Sequence, residues 1–126
     1  MAHETLAAWL DIAVVDAERS RAFYTEILGV STSAIPMSDE QGSYNDHCLH
    51  AVKDGPALAG VCHRRGLNSA VPAAWIPYFR VASLDAAVAR AVALGAAVID
   101  GPRDCAGTHI AIVRDLDGAV FGLVGA

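Results

Sequence analysis

Two histidines three residues apart, His47 and His50, and the adjacent pair Cys62-His63 are the first residues whose types could do chemistry. An imidazole can ligate a metal or act as a general base, and a thiol beside a base can become a nucleophile. Their spacing works against both uses. Side chains on a strand alternate between faces, so His47 and His50 point apart, as do Cys62 and His63. A nonstandard cation site could still combine His47 or His63 with Asp46. His109 opens a strand and is expected at a rim; His3, near the chain start, is expected to be disordered. The three cysteines, Cys48, Cys62 and Cys105, are odd in number and lack CxxC spacing. That pattern predicts reduced thiols in a cytoplasmic protein. A G-x-S-x-G elbow, a P-loop and a G-x-G-x-x-G turn after a strand are all absent from the sequence.

The elements that must position these residues follow one pattern used twice. Trp9 to Val15 is a strand rich in branched and aromatic residues. Asp16 caps the helix AERSRAFYTEIL, whose Ala22, Phe23, Ile27 and Leu28 share a face. Gly29 stops it, because a left-handed C-cap costs glycine little. Later, Trp75 to Ala82 is a strand, Ser83 a cap, LDAAVARAVAL a helix with Leu84, Val88, Val92 and Leu94 apolar, and Gly95 the stop. Val14 corresponds to Val81 at an offset of 67 residues, and Gly29 to Gly95 at 66, which indicates duplication. Three short strands follow each helix: Val30 to Ile35, Tyr44 to Val52 and Ala57 to Arg64, then Ala97 to Asp100, His109 to Arg114 and Val120 to Val124. Asp54-Gly55-Pro56, Gly101-Pro102 and Asp117-Gly118 mark turns. The sequence predicts an α+β fold of two βαβββ modules in a single domain spanning 1–126. Module one covers about 7–65, the linker 66–74 and module two about 75–126. A lone module could not cover both faces of its sheet.

Composition narrows the function classes. The chain has 126 residues, 54% of them hydrophobic, and a net charge of −5. A core of that size needs no disulfide or metal to fold. A nucleic-acid binder carries a basic footprint, whereas His63-Arg64-Arg65 is the only basic cluster, so nucleic acid is not an expected partner. No apolar run approaches the roughly 20 residues of a spanning helix, and the first ten residues lack the form of a secretory signal. A soluble, cytoplasmic protein without a membrane partner is expected.

Three stretches resemble the vicinal oxygen chelate superfamily, which includes glyoxalase I, extradiol dioxygenases and bleomycin-resistance proteins. WLDIAVVDAERSRAFYTEILGV resembles its opening strand and helix, with Phe23-Tyr24 as the FY pair. VASLDAAVARAVALGAAVIDGPRD resembles the second module's helix and following strand. RDLDGAVFGLV resembles the closing DPDG turn and strand, with Leu116 in place of proline. The middle stretch, LAGVCHRRGLNSAVPAAWIPYFRV, resembles an unassigned bacterial branch. The resemblance implies two modules curled into an open cup with helices outside. It also implies, for the superfamily's enzymes, a divalent metal held in the cup as a Lewis acid.

The metal-ligand positions that the resemblance implies fall on Trp9, Gly60, Ile76 and Gly122. None offers the carboxylate, carbonyl or imidazole side chain a divalent ion needs, so no cofactor is expected. Alternation from these positions places Asp11 with Trp9, and Tyr78 and Arg80 with Ile76, facing the cup. On the third strand the apolar Leu49 suits the helix side, which leaves Tyr44, Asp46, Cys48 and His50 for the cup; on the fourth, Cys62 shares a face with Gly60. The expected ligand-binding set is therefore Trp9, Asp11, Asp46, Cys62, Tyr78 and Arg80. Arginine and carboxylates could orient a polar ligand, and the aromatics could stack on it. Arg80 could instead form a structural ion pair with Asp11 or Asp46, and Trp75 is expected in core or linker packing.

Whether the chain is an enzyme stays open. The leading expectation is a metal-independent small-molecule site, binding or catalytic, including a drug-sequestering role like that of bleomycin-resistance proteins. The alternatives are a metal-dependent lyase, isomerase or dioxygenase with displaced ligands, and an interaction module whose cavity is filled. A homodimer is expected from the resemblance.

Overall fold

The computed structural model describes residues 6–105 and 107–126; His3 lies outside them. Two compact units divide the chain, one formed by Leu10–Trp75 and the other by Ile76–Ala126 with the residues up to Trp9. The elements run β1 (Ala7–Val14), α1 (Ala17–Leu28), β2 (Ser31–Asp39), β3 (Gly42–His50), β4 (Ala57–His63), a short 3-10 turn (Gly66–Asn68), β5 (Ile76–Arg80), α2 (Leu84–Ala93), β6 (Ala97–Cys105), β7 (Thr108–Arg114) and β8 (Val120–Gly125). The strands of the first unit lie in the order β2-β3-β4-β1, and those of the second in the order β5-β8-β7-β6. With β1 equivalent to β5 and β4 to β8, the two orders match strand for strand. This is the α+β, twice-used βαβββ pattern that the sequence predicted.

The caps explain why the helix limits were legible. Asp16 Oδ1 accepts the Arg19 N–H at 3.0 Å, and Ser83 Oγ accepts the Ala86 N–H at 3.3 Å, each satisfying an otherwise orphaned donor. Gly29 sits at φ 65 and its N–H bonds Thr25 O. Under α1 the core is Ile12, Ala17, Leu49, Ala59 and Val61, with Tyr24 and Trp75 against it. Under α2 it is Leu84, Val88, Ala111, Val113 and Leu123. Burying each large aliphatic among these contributes about 1.5–3 kcal/mol.

Three local expectations are corrected. The face of α1 turned to its sheet carries Ala17 and Tyr24, whereas Phe23, Ile27 and Leu28 are more than half exposed and Ala22 is exposed as well. In α2, Leu84 and Val88 are buried but Val92 and Leu94 are exposed. Gly101-Pro102 is not a turn. It lies within β6, where the pairing with β7 shifts register between Asp100 and Arg103, because proline cannot donate to the ladder and is accommodated at an irregularity. No helix among the described residues is long and apolar enough to cross a membrane.

Candidate functional site

In the Leu10–Trp75 unit one sheet face is closed by α1 and the other carries polar side chains. Because Ile12, Leu49 and Val61 point into the core beneath α1, alternation turns Asp11, Asp46, Cys48 and Cys62 to the opposite face. The register brings them together: Asp11 lies beside Gly60 in the parallel β1–β4 pair, and Cys48 lies opposite Gly60 in the antiparallel β3–β4 pair. The Cys62 thiol donates toward Asp11, with Sγ 3.5 Å from Oδ2 and 3.6 Å from Oδ1. Asp46 is 3% exposed, and its Oδ1 accepts the His63 backbone N–H at 2.8 Å. Burial holds the Asp46 carboxyl above the usual carboxylate range, against the opposing pull of that N–H and of the Cys62 thiol. Burial, then the charges of Asp11 and Asp46, push the Cys62 thiol far up. Cys62 is thus a protonated donor between two acids, not a nucleophile.

The other unit holds Trp9, Tyr78 and Arg80. Tyr78 is 6% exposed and pairs with Gly122 across β5–β8. A Cβ built on Gly122 would lie 2.6 Å from Tyr78 Cγ and 2.7 Å from Cε2, so the phenol ring already fills the space above that glycine. Arg80 is exposed, Trp9 is half-buried, and the Arg80 N–H donates to Leu6 O at 2.9 Å. The same face includes a pair absent from the expected set, Arg103 Nε on Asp100 Oδ2 at 2.9 Å. Asp100 stands opposite Ile112, which in turn stands opposite Gly122.

The six expected residues therefore fall three to each unit, and the structure brings Asp11, Asp46 and Cys62 into one cluster. The imidazoles of His47, His63 and His109 point elsewhere. His47 is on the α1 side, its Nε2 2.6 Å from Glu18 Oε1, and that hydrogen bond holds Glu18 below its ordinary value. His63 Nδ1 accepts the Ala17 N–H at the start of α1, at 3.4 Å. His109 is exposed and 3.9 Å from Asp104. Trp75 packs on the core, its Nε1 donating to Tyr24 Oη at 3.1 Å.

Sequence reasoning missed two further groupings. Arg65 forks onto Asp39 at 2.8 and 2.7 Å while its guanidinium lies 4.0 Å from the Tyr44 ring centroid. Ser33 Oγ is 2.8 Å from His50 Nε2. Spacing along the chain does not bring these partners together; the strand pairing does.

The four positions where the resemblance implies metal ligands hold Trp9, Gly60, Ile76 and Gly122. Ile76 is buried and apolar, Gly60 is buried and Gly122 is roofed by Tyr78. Among the described residues, no group of three or more His, Cys, Asp or Glu side chains is arranged to hold a metal ion. This donor set does not fit a divalent ion.

The sequence profile of the Glyoxalase/Bleomycin resistance protein/Dioxygenase superfamily matches residues 6–123. The chain belongs to this superfamily. The chain is 28% identical over 117 residues to the candidate glyoxylase CFP32 of Mycobacterium bovis and of Mycobacterium tuberculosis, an alignment covering 92% of this chain and 42% of each relative. It thus spans less than half the length of these curated relatives. Among solved structures, a Streptomyces coelicolor methylmalonyl-CoA epimerase complexed with 2-nitronate-propionyl-CoA aligns at TM-score 0.64 and 23% identity, covering 97% of both chains. The methylmalonyl-CoA epimerase of Mycobacterium tuberculosis aligns at TM-score 0.60 and 20% identity, covering 99% of this chain and 92% of that one. At these identities the likeness shows the glyoxalase-type fold.

Proposed function

We propose that this superfamily member is a metal-independent small-molecule-binding protein, with Asp11, Cys62 and Asp46 as the polar floor of its site. The observation that carries the reading is a thiol held between two carboxyl groups on the sheet face away from the helix. A buried acid is costly without partners, and because a carboxyl oxygen can accept more than one hydrogen bond, the two acids can take N–H groups of a ligand beside the contacts they already make. The ligand class supported is a small polar aromatic bearing an amine or amidine, which a carboxylate binds by charge-assisted hydrogen bonds. Trp9, Tyr78 and Arg80, which belong to the other unit, are proposed separately as aromatic and polar ligand contacts of that unit. A drug-sequestering role is its most specific form. A homodimer and a cytoplasmic location complete the reading, the first of which light scattering tests.

Thermal shift with a panel of benzamidines and benzylamines, in the presence of a chelator, tests the proposal. A rise in Tm that Asp11→Asn and Asp46→Asn abolish is expected. No shift with any compound, or a shift that requires added zinc, nickel, manganese or iron, would overturn it in favour of a filled interaction module or a displaced metal site.

A further inference from the structure

We propose that Ser33 and His50 form a second site, a nucleophilic pair that accepts acyl groups from small neutral activated esters. The inference goes beyond the binding role and does not depend on it.

His50 Nδ1 lies 2.8 Å from Gly55 O. A backbone carbonyl can only accept, so Nδ1 carries the proton and Nε2 presents its lone pair. At 2.8 Å from Nε2, Ser33 Oγ must then be the donor. A hydroxyl is thus hydrogen-bonded to the free nitrogen of an imidazole whose other nitrogen is fixed by a third group, the arrangement that activates a serine. No acid occupies the third place; a carbonyl sets the tautomer instead.

The local fold builds this geometry. Ser33 pairs with Cys48, and Ser31 with His50, across β2–β3, so Ser33 and His50 are diagonal neighbours on one face, within reach of a long side chain. The β3–β4 register shifts between Leu49 and His50, and an irregularity of that kind re-aims a side chain. The Gly55 carbonyl is set by a turn closed by its own N–H on Val52 O at 3.0 Å. A Cβ at 55 would lie 2.8 Å from Val52 Cγ2 and 3.1 Å from Val52 O, so a side chain there would crowd the turn. Ser33 is exposed, and a substrate reaches it without rearrangement.

The surroundings select the substrate. Burial, and after it the charge of Asp11, raises the thiol of Cys48 beside Ser33. Ser33 pairs with Cys48, Cys48 with Gly60 and Gly60 with Asp11, and an acid in that cross-strand row disfavours anionic phosphate and carboxylate substrates while neutral acyl esters are admitted. In the reaction, the Ser33 Oγ–H proton passes to His50 Nε2 as the Oγ–acyl carbon bond forms. The carbonyl electron pair returns to expel the alcohol or phenol, which takes the proton from Nε2. Water then attacks the acyl-serine, gives its proton to Nε2, and Ser33 Oγ leaves with that proton. Ester and water become acid and alcohol, with no change of oxidation state.

Incubating the full chain with p-nitrophenyl acetate, and separately with a fluorophosphonate ester, tests the proposal by intact mass and peptide mapping. The expected result is one adduct on Ser33, absent from Ser33→Ala. Its formation should slow by about a hundredfold or more in His50→Gln, which keeps a hydrogen-bonding side chain but removes the general base. Cys48→Ala should leave the Ser33 adduct in place. Thermal unfolding of each variant confirms that it is folded. Modification on a cysteine or tyrosine alone, no adduct, or an unchanged rate in folded His50→Gln would each overturn the assignment. Amine or amidine binding in folded Ser33→Ala reports on the acidic site separately.

Discussion

The ring of Tyr78 occupies the space that any side chain at position 122 would need, with Cγ 2.6 Å from where a Cβ on Gly122 would sit. The superfamily resemblance implies a metal-binding carboxylate at that position. Here the backbone and the phenol are packed face to face, so a ligand cannot be restored by substitution without moving Tyr78.

Gly122→Ala should therefore destabilise the protein by about 1–3 kcal/mol, the range typical of overpacking a close-packed interior. Denaturant unfolding measures it. In a Tyr78→Ala background the same change should be much better tolerated, because the two sites share one volume. Equal losses in both backgrounds would contradict the packing described.

Asp46 links the polar face to pH. Its carboxyl is raised by burial above the ordinary aspartate value of 3.8, so over a window of pH the folded state holds a proton that the unfolded state has released. Between the unfolded and folded values the native form binds more protons, and stability falls as pH rises through that window. Asp46→Asn mimics the protonated acid and can still accept the His63 N–H. It should equal or exceed the parent in stability at neutral pH, with the advantage vanishing in acid. A loss at neutral pH that disappears in acid would show instead that the charge itself is needed.

The Glu18–His47 pair has the opposite sign. Hydrogen bonding to His47 holds the folded Glu18 value below 4.5, so its contribution is present above the unfolded value and lost as pH falls through the folded one. Glu18 is half exposed, and solvent screening limits the effect of Glu18→Gln to under about 1 kcal/mol. Urea melts at neutral and acid pH should show that difference shrinking in acid. No difference at neutral pH would remove the pair from the account.

Thiol chemistry separates the cysteines, all three of which are free. Iodoacetamide should modify the exposed Cys105 in the native protein and spare Cys62, whose thiolate is disfavoured by burial and two neighbouring acids. Peptide mapping before and after adding denaturant reads the order. Native alkylation of Cys62 as fast as that of Cys105 would contradict its setting.

What was legible in the sequence was what local chemistry decides. Asp16, Ser83 and Gly29 fix helix ends through their own hydrogen bonds or φ preference, and both helices start where those residues place them. The faces of β3 followed from one apolar residue, Leu49, because strand alternation is strict. The face of α1 did not follow. Phe23, Ile27 and Leu28 outweigh Ala17 in hydrophobicity, yet close approach to the sheet favours the small residue and Tyr24. Register was also out of reach. Ser33 and His50 lie on separate strands whose hairpin turns at Glu40-Gln41; the Asp39 side chain on the Gln41 N–H and the positive φ of Gly42 mark that turn but do not by themselves say which residues stand opposite one another along it. The Arg65–Asp39 fork and the Glu18–His47 bond depend on the same long-range pairing.

Metal-independent binding is tested most directly by calorimetric titration of an amine- or amidine-bearing aromatic that raises Tm, performed with chelator and again after adding zinc, nickel, manganese or iron. Asp11, Cys62 and Asp46 acting without a cation predict the same affinity in every condition, and a loss of tenfold or more in Asp11→Asn. Affinity that disappears with chelator and returns with one metal would contradict it.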